Sequence, residues 1–135
     1  MTMTAAVHNI TFDAENPYEL ARFWSAVLGL PLDDRDKPGD AVVSLVAQPG
    51  QPGYFFIKVP EGKSAKNRMH LDLTHDTTRD GEVDRILALG ARIVQDHRRP
   101  DTTGWAYMAD PEGNEFCVER NAAERAATGH GPNSD

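Results

Sequence analysis

Two short strings in this 135-residue sequence carry side chains able to bind a metal or move a proton: KNRMHLDL, with His70 and Asp72, and DPEGNEFCVER, with Glu115, Cys117 and Glu119. Residues two apart on an extended chain point to the same side, so each string would present its chemical groups on one face of a strand. Cys117 is the only cysteine, which excludes an internal disulfide and a cysteine-rich zinc site. It could still join histidines around a metal. A cysteine nucleophile with His70 as its base is also conceivable, but no third orienting group or oxyanion hole can be named for it, and a lone strand cysteine is usually a small buried filler. Asp13, Asp72, Glu115 and Glu119 are better suited to general acid or base work, because carboxylates crowded in a partly closed cleft have some of their pKa values raised.

The elements that must position these groups follow from local signals. NPYELARFWSAVLG has Asn16 at the N-cap, Pro17 in the first turn, Glu19 in capping-box position and Gly29 as a stop, with Leu20, Phe23, Trp24, Val27 and Leu28 forming one apolar stripe. A second helix begins near Asp80 and Glu82, buries Val83, Ile86 and Leu87 and ends at Gly90. Strands are predicted over roughly 7 to 13, 30 to 35, 41 to 48, 54 to 59, 69 to 75, 91 to 97, 104 to 109 and 115 to 120. The shift that carries Gly29 onto Gly90 also carries Leu32 onto Ile93, Ile10 onto Leu71 and Phe12 onto Leu73. That points to an internal duplication of a strand-helix-three-strand unit.

Strand alternation then sorts the faces. With Ile10 and Phe12 in the core, Asn9, Thr11 and Asp13 face the other way; with Met69, Leu71 and Leu73 in the core, so do His70, Asp72 and Thr74. Phe116 and Val118 likewise leave Glu115, Cys117 and Glu119 opposite, and Met108 leaves Trp105 and Tyr107. An antiparallel sheet can simply have one wet face. Large aromatics such as Trp105 and Tyr107 argue instead for a lined pocket.

Composition bounds the rest. The sequence is 39% hydrophobic and 26% charged, ordinary for one soluble domain. Its net charge of -7 argues against nucleic-acid binding. Lys63, Lys66 and Arg68 in one loop, and Arg98 and Arg99 in another, read as solvated surface. No leader pattern and no apolar run of membrane-spanning length is seen, so a cytoplasmic protein with no membrane partner is expected.

The duplicated order, together with NPYELARFWSAVLG, KNRMHLDL and DPEGNEFCVER, resembles the vicinal oxygen chelate superfamily, and within it the glyoxalase-like proteins, over about residues 7 to 120. The resemblance implies an α+β fold in which two βαβββ modules, about 5 to 60 and 67 to 120, pair into a half-open mixed β-barrel with helices outside, in one domain spanning about 1 to 120. A tail over about 121 to 135 would add a helical turn and then be partly disordered. Family members use this fold for glyoxalase, epimerase, dioxygenase and fosfomycin-resistance chemistry and for metal-free antibiotic binding, and they often form homodimers.

By the same resemblance, metal ligands would fall on Asn9, Ile57, His70 and Cys117, of which only His70 fits well. His8 could enter the site if the first strand slipped by one residue, but that slip would turn Ile10 and Phe12 into the cleft unless a bulge confined it. Should His8, His70 and Cys117 converge, imidazole and thiolate would suit zinc or ferrous iron better than magnesium. The cofactor expectation is therefore none, or a single divalent ion: zinc, iron or manganese. A standard glyoxalase I is disfavoured, because the expected carboxylate positions read Ile57 and Cys117. Two functions remain open. One is a lyase, isomerase or hydrolase acting on a small metabolite, with His70, Asp72 and Asp13 doing the chemistry and Asn9, Thr11, Ile57, Trp105, Tyr107, Glu115, Cys117 and Glu119 lining the cleft. The other is a protein that sequesters a cationic, planar drug or natural product without changing it.

Overall fold

Aromatic residues in the first half of the chain and buried polar groups in the second organise two compact units, Met1–Gly62 and Lys63–Asp135. The structure is a computed structural model, described over residues 3 to 128.

In the first unit, β1 (Asn9–Ala14) leads into α1 (Pro17–Leu28), followed by β2 (Val42–Leu45) and β3 (Gly53–Lys58). Pro17 starts α1 without needing a backbone donor, and Gly29 ends it in the left-handed region (φ 68°), its N–H donating to the Ser25 carbonyl. Asn16 occupies the N-cap position without a side-chain cap hydrogen bond. The buried stripe of α1 includes Leu20, Phe23, Trp24 and Val27. Trp24 packs 5.4 Å from the ring of Phe12, which lies 5.2 Å from that of Phe56 on the neighbouring strand. Complete burial of side chains of this size stabilises by about 1.5–3 kcal/mol each.

The strand expected over 30 to 35 is reduced to one bridge, Leu32 to Leu45. Two features stop the ladder there. Pro31 has no N–H to give, and the Asp36 carboxylate takes the Ser44 N–H at 2.8 Å, which a further strand would otherwise have used.

The second unit repeats the pattern with β4 (Leu71–Leu73), α2 (Arg79–Ala88), β5 (Arg92–Asp96), β6 (Ala106–Ala109) and β7 (Glu115–Val118), then adds α3 (Ala122–Ala127). Its sheet runs β4-β7-β6-β5, with β4 and β7 parallel and the other pairs antiparallel. The first sheet runs β1-β3-β2, parallel then antiparallel, and Leu32 pairs with β2 where β5 pairs with β6. The two halves thus share one connection pattern, as the internal sequence match predicts. The chain is an α+β protein with two small mixed sheets and three helices.

Three local devices fix the second unit. The Thr78 hydroxyl caps α2 by accepting from the Gly81 N–H, and Val83 and Ile86 are fully buried on the inner side of the helix. Asn121 and Glu124 form a reciprocal capping box on α3, while the Asn121 amide donates to the carbonyls of His75 and Thr77, so this part of the tail is tied down. The tail expected to be disordered lies partly beyond residue 128, outside the described residues. Met69, expected in the core, is 87% exposed: β4 has only three residues, and the chain bends at Arg68 and Met69 before it starts. Among the described residues no helix is long and apolar enough to cross a membrane.

Candidate functional site

Register in the second sheet sets side chains in rows. Asp72 on β4 is paired with Cys117 on β7, Cys117 with Tyr107 on β6, and Tyr107 with Gln95 on β5. These four residues, one from each strand, share a face, and the pleat brings Glu119, Trp105 and His97 to the same face one step along. Together with Lys66, His70 and Arg125 they line a cleft of about 510 Å³.

Gln95 and His97 owe their place to a bulge. The β5–β6 register shifts between Ile93 and Gln95, so Ile93 opposes the buried Met108 while Gln95 opposes Tyr107. Without the extra residue, Ile93 and Gln95 would point to the same side. The ring of His97 then stacks on Trp105, centroids 4.8 Å apart and planes at 28°.

Two buried polar residues hold the strand ends. The Arg79 guanidinium, 4% exposed, donates from Nη1 to the carbonyls of Thr102, Thr103 and Gly104, which begin the approach to Trp105. Gly104 must lack a side chain: at φ 91° a Cβ would fall 1.9 Å from the His97 carbonyl oxygen. Before β7, the Asp110 carboxylate accepts from the N–H groups of Glu112 and Asn114 and from the Asn114 amide, which shapes the DPEGN turn and sets the start of the strand carrying Cys117.

At one end of the cleft, His70, Asp72 and Cys117 bring one ligand atom each to within 4.8 Å of one another. His70 Nδ1 lies 3.1 Å from Asp72 Oδ1. Cys117 is 6% exposed. Burial first, then the charges of Asp72 and Glu119 and the hydrogen bond to Asp72, push its thiol up to about 12, against a smaller opposing influence of Lys66. A thiol raised in this way is poorly suited, without a metal, to act as a nucleophile with His70 as its base. Nitrogen, oxygen and sulfur donors converging at this range fit a divalent ion that accepts a thiolate, with the ion replacing the thiol proton.

Glu115 works one step away from the cluster. Burial acts to raise its carboxyl, but the ion pair with Lys63 at 2.8 Å and the Asn67 N–H at 3.0 Å outweigh this and hold it below the usual carboxylate range. Its visible role is to anchor the segment carrying Lys66.

The remaining sequence candidates belong to the first unit. Thr11 and Asp13 are exposed on β1, and Ile57 is the cross-strand partner of Asp13. The Asn9 side chain occupies the space above Gly53, where a Cβ would meet its Oδ1 at 2.7 Å. His8 is exposed just before β1, and its carbonyl accepts from the Gly53 N–H. Alternation along the strands missed Lys66, Gln95, His97 and Arg125. In the sequence Lys66 reads as solvated surface, the bulge hides the middle two, and Arg125 lies in the tail.

The family model of the glyoxalase-like domain matches residues 9–119, and the chain belongs to that family, within the vicinal oxygen chelate superfamily. No curated protein matches the chain in sequence. Among solved structures it is similar to a glyoxalase/bleomycin resistance protein/dioxygenase family enzyme from Burkholderia phytofirmans PsJN, with 18% identity, TM-score 0.66, and 84% of this chain and 97% of that one covered. It is also similar to the fosfomycin resistance protein FosX from Mesorhizobium loti, with 16% identity, TM-score 0.64 and coverages of 93% and 99%. A variant of FosX from Listeria monocytogenes, solved with Mn(II) and 1S,2S-dihydroxypropylphosphonic acid, gives 14% identity, TM-score 0.66 and the same coverages. At these identities the likeness shows the fold alone.

Proposed function

We propose that this protein is a glyoxalase-like enzyme of the lyase, isomerase or hydrolase kind that acts on a small metabolite, with His70, Asp72 and Cys117 holding one divalent ion. The observation that carries this reading is the approach of those three donor atoms to within 4.8 Å at the end of a lined cleft. Imidazole and thiolate favour zinc or ferrous iron over manganese. When bound, such an ion supplies Lewis-acid polarisation of a substrate carbonyl or hydroxyl.

The chain's own residues do the rest. Asp72 orients the His70 ring through the 3.1 Å contact at Nδ1. Trp105 and Tyr107 give the substrate flat apolar walls. A standard glyoxalase I is a poorer fit: once Asp72 serves as a ligand, the other acid lining the cleft is Glu119, and its carboxylate faces Arg125 at 3.4 Å. Asp13, in the first unit, stays a candidate acid or base.

The test is metal content. Protein reconstituted with zinc, ferrous iron or manganese in turn is expected to keep one equivalent after gel filtration. His70→Ala, Asp72→Ala and Cys117→Ala should each weaken retention by more than about tenfold. Wild-type protein that keeps no ion, or variants that keep it equally well, would overturn the proposal.

The aromatic lining supports a second reading, a binding protein without turnover. A strongly cationic ligand is not what the lining favours, since two cations, Lys66 and Arg125, accompany the two acids Asp72 and Glu119. Stoichiometric binding with the ligand recovered unchanged would select this reading.

A further inference from the structure

We infer that Lys66 holds the acid group of the ligand, a carboxylate or a phosphonate, while a neighbouring oxygen of the same molecule is directed to the His70, Asp72 and Cys117 cluster. The inference rests on the reading of that cluster as the reacting centre.

The argument is one of charge. Apart from the two histidines, Tyr107 and Cys117, four acidic and basic side chains line the cleft: Lys66, Asp72, Glu119 and Arg125. Arg125 and Glu119 face each other at 3.4 Å and offset one another. Asp72 is engaged by the His70 ring and the Cys117 thiol. Lys66 has no carboxylate partner among the described residues: its ammonium donates to the Asn67 carbonyl over 3.4 Å and stands 5.6 Å from the centre of the Tyr107 ring.

Its neighbour shows the contrast. Lys63, three residues earlier, is paired, with Glu115 at 2.8 Å and the Ala65 carbonyl at 2.5 Å. An ammonium has three donors, so Lys66 keeps most of its capacity for a ligand. The ring it stands over, Tyr107, is the cross-strand partner of Cys117, so the ammonium and the cluster share one cleft. In the same wall, the buried hydroxyl of Tyr107 has no hydrogen-bond partner among the described residues.

Metal loading sharpens the preference. A divalent ion held by the Asp72 carboxylate and the Cys117 thiolate would be neutralised by them, which leaves Lys66 as the uncompensated charge of the cleft. In the metal-free protein the negative charge of Asp72 stays in the same cleft, held at the His70 ring. Anion binding should therefore be stronger with the ion in place.

Calorimetric titration with three small probes tests this: glycolate, hydroxymethylphosphonate and the neutral glycolamide, each on zinc-loaded and metal-free protein. At least one acid is expected to bind the zinc-loaded protein about tenfold or more tightly than the amide, and the better acid tells carboxylate from phosphonate. Lys66→Met should remove that preference with metal content unchanged, Lys66→Arg should keep it, and Arg68→Met, in the same loop but outside the lining, should leave it intact. Equal binding of acids and amide, or a preference that survives Lys66→Met, overturns the inference. The metal readout is separate: wild-type protein that holds no ion yet shows a Lys66-dependent preference for the acid sinks the metal centre and retains the anion site.

Discussion

The two units share a strand order and a helix position, yet they are held together by different physics. The first is built on aromatic packing: Trp24 and Phe56 are buried to within 1% and, with Phe12 and Phe23, join α1 to its sheet. In the second, Val83 and Ile86 are the buried apolar residues of α2, and much of the order comes from buried polar groups, among them Arg79, Asp110, Arg120 and Asn121. The chemically able side chains follow this division. The open face of the second sheet carries the histidine, aspartate and cysteine cluster, whereas the matching face of the first holds Thr11, Asp13, Phe55 and Ile57. A duplicated module can leave scaffolding to one copy and place reactive groups in the other, because polar networks fix side-chain directions that apolar packing leaves free.

The sharpest way to break this comparison is to remove one keystone from each side. Trp24→Ala should cost about 3–5 kcal/mol, since it deletes the largest fully buried side chain of the first unit and leaves a cavity beside Phe12 and Phe23. Arg79→Leu should cost about 2–4 kcal/mol by leaving the carbonyls of Thr102, Thr103 and Gly104 without their donor. Denaturant unfolding measures both. A second readout separates them: Arg79→Leu should also shift Trp105 fluorescence in protein that is still folded, because the released segment leads into Trp105, whereas Trp24→Ala should not move that signal. A larger loss from Arg79→Leu than from Trp24→Ala would refute the assignment of apolar packing to the first unit.

How far the sequence carried these features depends on whether a local signal existed. Helix α1 was legible because proline, an apolar stripe and a terminal glycine all agree on it. The shared facing of His70, Asp72, Cys117, Tyr107 and Trp105 was legible because strand alternation is a two-residue rule and the core residues Phe116, Val118 and Met108 set its phase. The rule fails where the backbone departs from it. A bulge at Val94 turns Gln95 to the cleft side, and a bend at Arg68 and Met69 exposes a methionine that alternation assigns to the core. Lys66 gives no local sign of its place in the cleft, since a lysine between Ala65 and Asn67 looks like any loop cation. What distinguishes it is that, among the described residues, it lacks the carboxylate partner that Lys63 has, and that depends on where Glu115 lies in three dimensions.

Cys117 offers the smallest effect on stability and the finest test of the polar side of the comparison. Raising a thiol's pKa means that the folded protein holds the proton more tightly than the unfolded chain does. The resulting stabilisation is complete below the unfolded value near 9.0 and is lost as pH rises through about 12. In metal-free protein, Cys117→Ser should therefore flatten the fall in stability between pH 9 and 12 relative to wild type and leave the profile below pH 9 unchanged in shape. Alkylation gives an independent measure: at pH 8 the thiolate fraction should be roughly a thousandfold below that of an ordinary thiol, so a folded, metal-free sample should react correspondingly slowly. Asp72→Asn should speed that reaction, because it removes one of the two negative charges that raise the thiol. An alkylation rate in the native protein equal to that of the unfolded chain would mean that burial and the Asp72 carboxylate do not govern this sulfur.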